Sequence, residues 1–178
     1  ATGSNRWNRE HVWSKSHGFP NESDTAYTDL HHLKPADESV NSSRGNLDFD
    51  NGGSAHSEAT DCNYDSDSWE PRDAVKGDVA RMMFYMEVRY DPGIHSDGSA
   101  YDLELVDNTG TSSPEFGKLS TLIAWHSSDP VDNFEKRRND SIYAYQGNRN
   151  PFIDFPEFVN SIWGSLPLSA SNLSLIHI

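Results

Sequence analysis

Cysteine is almost absent from this chain, since Cys62 is the single one among 178 residues. One thiol cannot form a disulfide within the chain, and it cannot build a zinc site from cysteine ligands. Long apolar runs are missing as well, because no stretch approaches the roughly 20 residues that span a bilayer. No signal peptide begins at Ala1, so we expect any export signal to have been removed or never included.

Basic residues are the other scarce class. Lys and Arg number 14 against 28 Asp and Glu, which gives a formal net charge of −14 at pH 7. Proteins gain affinity for nucleic acids by placing Lys and Arg against phosphates, so this balance argues against such a partner at low ionic strength. At about 1 M salt the Debye length falls to about 3 Å and the repulsion is screened. The charge is therefore either incidental or an adaptation to saline surroundings.

The chain does contain enough apolar sequence for a folded core. Hydrophobic residues make up 34% of it and include five tryptophans, which indicates one folded domain. We place this domain at residues 1–168 and expect no function from the tail at 169–178. Apolar spacing predicts helices over residues 73–90, 113–127, 131–146 and 156–163. In the third of these helices, Phe134, Ile142 and Tyr145 are expected to face inward.

An acidic segment, residues 48–68, has almost no apolar pattern and is expected to be a long loop. Within it, four alternating oxygen-bearing residues resemble the opening of a calcium-binding loop: Asp61, Asn63, Asp65 and Asp67. However, Ser66 stands where an EF-hand needs glycine, and Arg72 stands where it needs a bidentate glutamate. A loop rich in Asx turns is the preferred interpretation, and a calcium site is the alternative.

Two separated stretches carry the residues best suited to chemistry on a phosphodiester: Glu10-His11, and the segment from Asp29 to Asn41. An imidazole is largely neutral at pH 7 and can act as a general base. Carboxylate and amide oxygens are ligands that suit Mg²⁺. His11 is therefore the candidate base, and Glu10 and Asn41 are the candidate metal ligands. The alternative for His11 is a structural histidine that is hydrogen-bonded within a strand.

The local pattern predicts how these stretches meet. Residues 10–13 and 29–33 are expected to form two short strands, and Pro35 is expected to begin a helix that carries Asn41. The ion would lie between the strands and the helix. One geometric difficulty follows, because adjacent residues of a regular strand point to opposite faces. Glu10 and His11 can share a site only if the strand ends or bends there.

Several motifs of this chain resemble, in order, those of the bacterial endonuclease I family, which belongs to the ββα-metal (His-Me finger) nucleases. They cover roughly residues 5–163 and include NREHVW at 8–13, DLHHLKP at 29–35, VNSSRGN at 40–46, WEP at 69–71, KGDVAR at 76–81, RND at 138–140 and QGNRNPF at 146–152. The resemblance implies an α+β fold, mostly helical, as a single domain with an embedded ββα-metal finger. It also gives His11, Glu10 and Asn41 the roles proposed above.

The resemblance further implies a Mg²⁺-dependent endonuclease that hydrolyses DNA to 5′-phosphate products, with Mn²⁺ or Ca²⁺ as substitute ions and RNA as a further substrate. His32 occupies a place where many ββα-metal nucleases have an asparagine that braces the finger. Bracing is preferred over zinc ligation by His31 and His32, because neighbours in sequence are poorly placed to chelate one ion. Glu70 and Arg81 are expected to be structural partners.

Contacts to the substrate are assigned to the few basic and amide side chains. Arg44 follows Asn41 by about one helical turn and could stabilise the scissile phosphate; an ion pair with Asp37 or Asp48 is the alternative. His31 is expected near the nucleic acid or packed inside. The remaining candidates for phosphate contact are the one basic run and a segment near it: Lys136, Arg137, Arg138, Gln146, Asn148 and Arg149.

These features favour a monomeric, secreted or periplasmic endonuclease with no membrane partner and little sequence preference, since nothing indicates an element that reads bases in the major groove. One alternative is a non-catalytic DNA- or metal-binding module that keeps the fold. The other is a secreted, calcium-dependent adhesion domain, which depends on the acidic segment. Nicking of a plasmid with Mg²⁺ and with EDTA distinguishes the first alternative, and stabilisation by calcium without cleavage would favour the second.

The net charge yields a first testable prediction. If the acidic surface is an adaptation to salt, nuclease activity should hold or rise from low NaCl to about 1 M, because screening removes the repulsion between protein and nucleic acid. The measurement is the initial cleavage rate across that range. A monotonic fall with salt would contradict the saline hypothesis.

Overall fold

The computed structural model describes residues 6–96, 98–109 and 114–164 as a mixed α+β domain. The expected tail at 169–178 lies outside the described residues, and the domain boundary at 168 stays a prediction. No helix in the described ranges is long and apolar enough to cross a membrane.

Helices hold more of the described residues than strands do. The helices are α1 (Thr25–Thr28), α2 (Glu38–Arg44), α3 (Lys76–Arg89), α4 (Leu119–Ser128), α5 (Asn133–Gln146), α6 (Pro151–Asp154) and α7 (Phe158–Trp163). The strands are β1 (Trp7–His11), β2 (Leu33–Asp37), β3 (Asp48–Phe49), β4 (Ser54–Ala55), β5 (Asn63–Tyr64), β6 (Ser68–Glu70), β7 (Gly93–Ile94), β8 (Ala100–Tyr101), β9 (Glu104–Leu105) and β10 (Glu115–Phe116).

Strands β1 and β2 form a two-stranded antiparallel sheet in which Glu10 is opposite Lys34. The expectation of a helix that begins at Pro35 is wrong, since Pro35 lies in β2 opposite Arg9. A proline lacks the N–H donor of a ladder, but an edge strand tolerates it. The strand expected over residues 29–33 is also displaced, because residues 30–32 form a turn and β2 begins at Leu33.

Helix α2 follows β2 without a loop and begins at Glu38. Asp37 is extended and its carboxylate accepts hydrogen bonds from the backbone N–H groups of Ser39 and Val40 at 2.9 and 3.4 Å. This is an ordinary N-cap, which satisfies donors that the first turn cannot pair internally. Asn41 therefore lies one turn from the cap, not two turns beyond a proline.

The acidic segment is more regular than a loop. Its short strands form a four-stranded sheet in the order β3-β6-β5-β4, with β3 parallel to β6 and the other pairs antiparallel. The expected loop rich in Asx turns is reduced to one such turn between β5 and β6, where Asp65 Oδ1 accepts hydrogen bonds from the N–H groups of Asp67 and Ser68 at 3.2 and 2.9 Å. The strands were missed because each is only two or three residues long, too short to show an alternating pattern.

Helix α3 is central to the core and confirms the strongest periodic signal in the sequence. A 3₁₀ turn over Asp73–Val75 precedes it, and Met82, Met83 and Met86 on α3 are buried as packing residues. Helix α4 packs extensively along α3. The fully buried side chains of the core include Trp13, Phe19, Phe84, Phe116, Met83, Met86, Leu122 and Phe152.

Helix α5 shows where the apolar pattern misleads. Ile142 is buried as expected, but Phe134 and Tyr145 are 53% and 87% exposed. Glu135 and Asn139 are buried in their place. A polar residue can occupy a core position only when a partner satisfies it, so the inward face of α5 is set by hydrogen bonding that a hydrophobicity pattern does not reveal.

The partner of that face is Arg81 on α3, which is fully buried. Its Nε and Nη2 donate to the two carboxylate oxygens of Glu135 at 2.6 and 2.7 Å. Asn150 Nδ2 donates to the backbone carbonyl of Arg81 at 2.8 Å, and its N–H donates to Asn139 Oδ1 at 2.9 Å. These bonds tie α3, α5 and the start of α6 together, which confirms the structural role expected for Arg81.

This buried pair generates a stability prediction. Arg81→Met should destabilise the fold by about 3–5 kcal/mol, because it leaves the Glu135 carboxylate buried without its charge partner. Adding Glu135→Leu should recover much of that stability, since an apolar pair can replace a buried ion pair. Urea unfolding measures both variants, and Arg137→Met, on the exposed side of α5, is the control. If Arg81→Met is no less stable than Arg137→Met, the buried ion pair does not have this structural role.

Candidate active site

The structure brings Glu10, His11 and Asn41 to one place. Glu10 and His11 are the last two residues of β1, and Asn41 lies in the middle of α2. All three line a cavity of about 370 Å³. The other residues that line it are Arg9, Ser14, Lys15, Tyr27, Arg44 and Gly45. The geometric difficulty noted for neighbouring strand residues is resolved because β1 ends at His11, so the cavity wraps around the end of the strand.

His11 is half-buried, and its Nε2 lies 2.9 Å from the backbone carbonyl of Tyr27. A carbonyl accepts only, so Nε2 carries the proton and donates, which leaves Nδ1 as the proton acceptor of the neutral ring. Burial lowers the pKa of His11, the Tyr27 carbonyl partly opposes this shift, and the charges of Arg9, Lys15 and Arg44 lower it further. The neutral imidazole that a general base requires is therefore favoured at pH 7.

Glu10 is held by Arg44, with 3.0 Å between Oε1 and Nη1. Burial raises the pKa of Glu10, and the positive charge of Arg44 partly offsets that shift. The sequence offered Asp37 or Asp48 as the ion-pair partner of Arg44, but the structure places Glu10 in that role. Arg44 thereby favours the ionised form of a carboxylate that burial alone would tend to protonate.

Arg44 also holds the end of β1. Its guanidinium donates to the carbonyls of His11 and Val12 at 3.1 and 2.6 Å, and its Cζ lies 4.7 Å and 5.5 Å from the ring centroids of Phe49 and Phe116. Its Nε is buried with no hydrogen-bond partner among the described residues. Stabilisation of a scissile phosphate by Arg44 stays a prediction, and the positioning of β1 is what its contacts show.

Asn41 is oriented through its amide nitrogen. Nδ2 donates to Asn8 Oδ1 at 2.7 Å and to the carbonyl of Arg9 at 3.4 Å. Because the nitrogen is engaged, the carboxamide oxygen is the atom that can act as a ligand. With the Glu10 carboxylate it forms a pair of hard oxygen donors, which fits Mg²⁺ that keeps most of its water. The described residues contain no group of three or more His, Cys, Asp or Glu suited to a metal.

His32 packs against the ring of His11 and does not line the cavity. It is fully buried, its Nε2 lies 2.8 Å from the carbonyl of Ala26, and its ring centroid lies 5.5 Å from that of His11. Burial lowers the pKa of His32 to about 4, so the ring is neutral at pH 7 and its Nε2 donates. These contacts are consistent with a bracing role, which stays a prediction.

Three of the predicted substrate contacts, His31, Gln146 and Asn148, belong to a hydrogen-bond network around Asp29. None of them lines the cavity of His11. The Asp29 carboxylate accepts hydrogen bonds from the hydroxyls of Tyr85 and Tyr90 and from the Gln146 side chain, at 2.7 to 2.8 Å. These bonds keep the pKa of Asp29 below its usual value even though burial alone would raise it.

His31, the next member of the network, is fully buried, with Nε2 3.3 Å from the Asn148 carbonyl. Asn148 in turn donates to the hydroxyl of Tyr85 at 2.6 Å. The structure therefore buries His31 and places the half-buried Gln146 and Asn148 at a separate cavity beside Tyr90. It does not bring the three to the candidate site.

The basic run at 136–138 and the nearby Arg149 do not form one surface for phosphate contact. Arg138 donates to the backbone carbonyls of Leu30, His31 and Leu33 and so holds the turn before β2. Arg149 forms ion pairs with Asp140 and Asp154 at 2.8 and 2.7 Å. Lys136 and Arg137 are exposed on α5, and neither lines the cavity that holds His11.

Two cations that line the cavity, Arg9 and Lys15, were not among the residues predicted from the sequence. Both are exposed, and they flank the ring of Tyr27, with Arg9 Cζ 5.0 Å and Lys15 Nζ 5.4 Å from its centroid. The only available signal was their position, one residue before Glu10 and four residues after His11. Isolated cations are easily overlooked beside a basic run of three.

Comparison with known proteins identifies the family of this chain. The family described as Endonuclease I matches residues 1–157. This chain belongs to the endonuclease I family. The match covers β1, β2 and α2 together with every helix up to α6, so the family's region contains the whole candidate site.

Among curated relatives, an extracellular ribonuclease of Bacillus amyloliquefaciens is 62% identical over 159 residues, and one of Bacillus subtilis (strain 168) is 58% identical over the same number. Each alignment covers 88% of this chain and 54% of the relative. An extracellular deoxyribonuclease of Aeromonas hydrophila is 30% identical over 145 residues, or 79% of this chain and 55% of the relative. The chain thus spans about half the length of the curated relatives it matches.

The buried His32 gives this endonuclease I chain a testable pH dependence. Its folded pKa of about 4 lies below the ordinary value of 6.5, so the unfolded chain binds the extra proton first. The stability that neutral His32 contributes is complete above about pH 6.5 and is lost as pH falls toward 4, by up to about 3 kcal/mol.

His32→Asn removes this titration while keeping a side chain that can donate to Ala26. We expect the free energy of unfolding in urea to fall less steeply for the variant than for the native chain between pH 6.5 and 4. The pKa values of His11 and His31 are also lowered, but they contribute to both proteins. Equal pH slopes in the two proteins would contradict the assignment.

Proposed function

We propose that this chain is a metal-dependent endonuclease that hydrolyses phosphodiester bonds in nucleic acids with little sequence preference. The observation that carries the proposal is the convergence of an imidazole, a carboxylate and a carboxamide, from β1 and α2, on one cavity. In this proposal β1, β2 and α2 are the ββα-metal finger, Glu10 and Asn41 hold Mg²⁺, and Mn²⁺ or Ca²⁺ can substitute.

His11 is the proposed general base. Its Nδ1 takes a proton from a water molecule, whose oxygen bonds to phosphorus while the bond from phosphorus to the 3′ oxygen breaks. The leaving 3′ oxygen takes a proton from solvent water, His11 later returns its proton to solvent, and the phosphate stays on the 5′ end of the product. Tyr27 keeps the ring oriented through the bond to Nε2, and Arg44 positions the Glu10 carboxylate. A bound Mg²⁺ would supply positive charge beside the phosphate oxygens.

The proposed substrates include RNA as well as DNA. Two relatives at 62% and 58% identity are named extracellular ribonucleases, and a more distant one at 30% is named a deoxyribonuclease. A water nucleophile activated by His11 does not use the 2′ hydroxyl, so both sugars are compatible with the proposed chemistry. The relatives' names, extracellular for the three above and periplasmic for a further deoxyribonuclease of Aeromonas hydrophila, also support action outside the cytoplasm, after secretion or in the periplasm. Tolerance of salt and a monomeric state stay part of the proposal.

The catalytic assignment predicts the effect of two treatments. His11→Ala should lower the rate of cleavage of both RNA and supercoiled plasmid by about 10²-fold or more, because a positioned general base contributes about 10²–10⁴-fold. EDTA should abolish native cleavage, and excess Mg²⁺ should restore it. Gel assays of the two substrates measure both effects.

His95→Ala is the matched control, since His95 is half-exposed in the turn between β7 and β8. Circular dichroism checks the fold of each variant. Full activity of His11→Ala, or full native activity in EDTA, would overturn the proposal. Nucleic-acid binding without cleavage by the native chain would favour the non-catalytic module.

A further inference from the structure

Tyr27 is a shared support for groups on one side of the candidate site. Its backbone carbonyl fixes the His11 ring, and its own ring centroid lies 4.5 Å from that of His11. The same ring carries the side chains of Arg9 and Lys15 at cation–π distances of 5.0 and 5.4 Å. One buried residue therefore sets the position of the candidate base and of two cations together.

These two cations differ from most others in the chain. Among the described residues, Arg9 and Lys15 have no carboxylate within ion-pair distance. By contrast, Lys76 and Arg149 each pair with two acidic side chains. In a chain of net charge −14, exposed cations that escape neutralisation can attract an anion.

Arg9 and Lys15 also differ in position from the other cations that lack a carboxylate partner. Other cations without a carboxylate partner in the described residues, such as Lys136 and Arg137, do not line the cavity of His11, whereas Arg9 and Lys15 do. Their charge also reaches the imidazole, because both contribute to the lowered pKa of His11. A phosphate placed between them would lie beside the candidate base.

We propose that Arg9 and Lys15, held on the ring of Tyr27, form an anion subsite that binds backbone phosphates of the substrate strand next to the bond that is cleaved. This inference rests on the proposed function. Arg9 offers a planar fork suited to two phosphate oxygens, and Lys15 offers a compact charge that adapts to position. Phosphate contacts carry no sequence information, which agrees with little sequence preference.

The subsite is tested first by binding, without cleavage. In the His11→Ala background, fluorescence anisotropy with a labelled single-stranded DNA oligonucleotide gives Kd over a range of salt concentrations. Adding Arg9→Gln and Lys15→Gln should weaken binding at low salt by about 10-fold or more. The slope of log affinity against log salt should become less negative by about 0.7 for each phosphate that the variant no longer neutralises.

The matched control removes the same charge from two positions near the ends of α3. Arg72→Gln with Arg89→Gln changes two exposed cations outside the cavity of His11, so it should leave both affinity and salt slope close to those of the parent. Equal weakening in the two double variants would show a diffuse charge effect and would overturn the subsite. A larger effect in the control variant would do the same.

Cleavage kinetics separate the subsite from the proposed function. In the native background, the Arg9→Gln, Lys15→Gln variant should raise KM several-fold while kcat changes by less than about three-fold, since the pair binds the strand but takes no part in proton transfer. A fall in kcat at unchanged KM would contradict the inference. If the native chain binds through this pair yet cuts neither RNA nor DNA, the subsite stands and the nuclease proposal fails.

Discussion

The candidate site depends on one buried guanidinium. Arg44 joins the end of β1 to the core, because it bonds to the backbone of His11, forms the ion pair with Glu10, and packs on Phe49 and Phe116. A buried charge is costly unless its donors are engaged. The contacts that engage Nη1 and Nη2 of Arg44 are therefore the same contacts that hold the candidate base and the candidate metal ligand. Arg44 therefore holds both the end of β1 and the groups of the proposed chemistry in place.

Charge is distributed to match this arrangement. The chain as a whole is strongly acidic, yet the cavity of His11 is lined by Arg9, Lys15 and Arg44 with Glu10 as its one carboxylate. The attraction of a phosphate to these cations and its repulsion by the rest of the acidic surface act over different distances. Salt with a Debye length of a few ångströms suppresses the long-range repulsion more than contacts at hydrogen-bond distance. The local cations can thus work within an acidic protein.

The sequence predicts best the features that follow from residue type and motif order. It predicts worst which side chains of an element are buried. Glu10, His11 and Asn41 were predicted to converge because residue type and motif order carry that information, and the structure places them at one cavity. Pro35 was misplaced because an edge strand tolerates proline as well as a first helical turn does. Phe134 and Tyr145 were misplaced because Arg81 draws Glu135 inward. Pairing between distant residues leaves no trace in a hydrophobicity pattern.

The central claim is that Glu10 and Asn41 share one hydrated cation beside His11. The most direct measurement is anomalous diffraction from crystals of the His11→Ala chain soaked in Mn²⁺. The account predicts one strong peak within roughly 2.0–2.4 Å of an oxygen of Glu10 and of the Asn41 carboxamide oxygen, with water as the remaining ligands. A peak at another group of residues, or no peak while Glu10 and Asn41 keep the positions described, would contradict it.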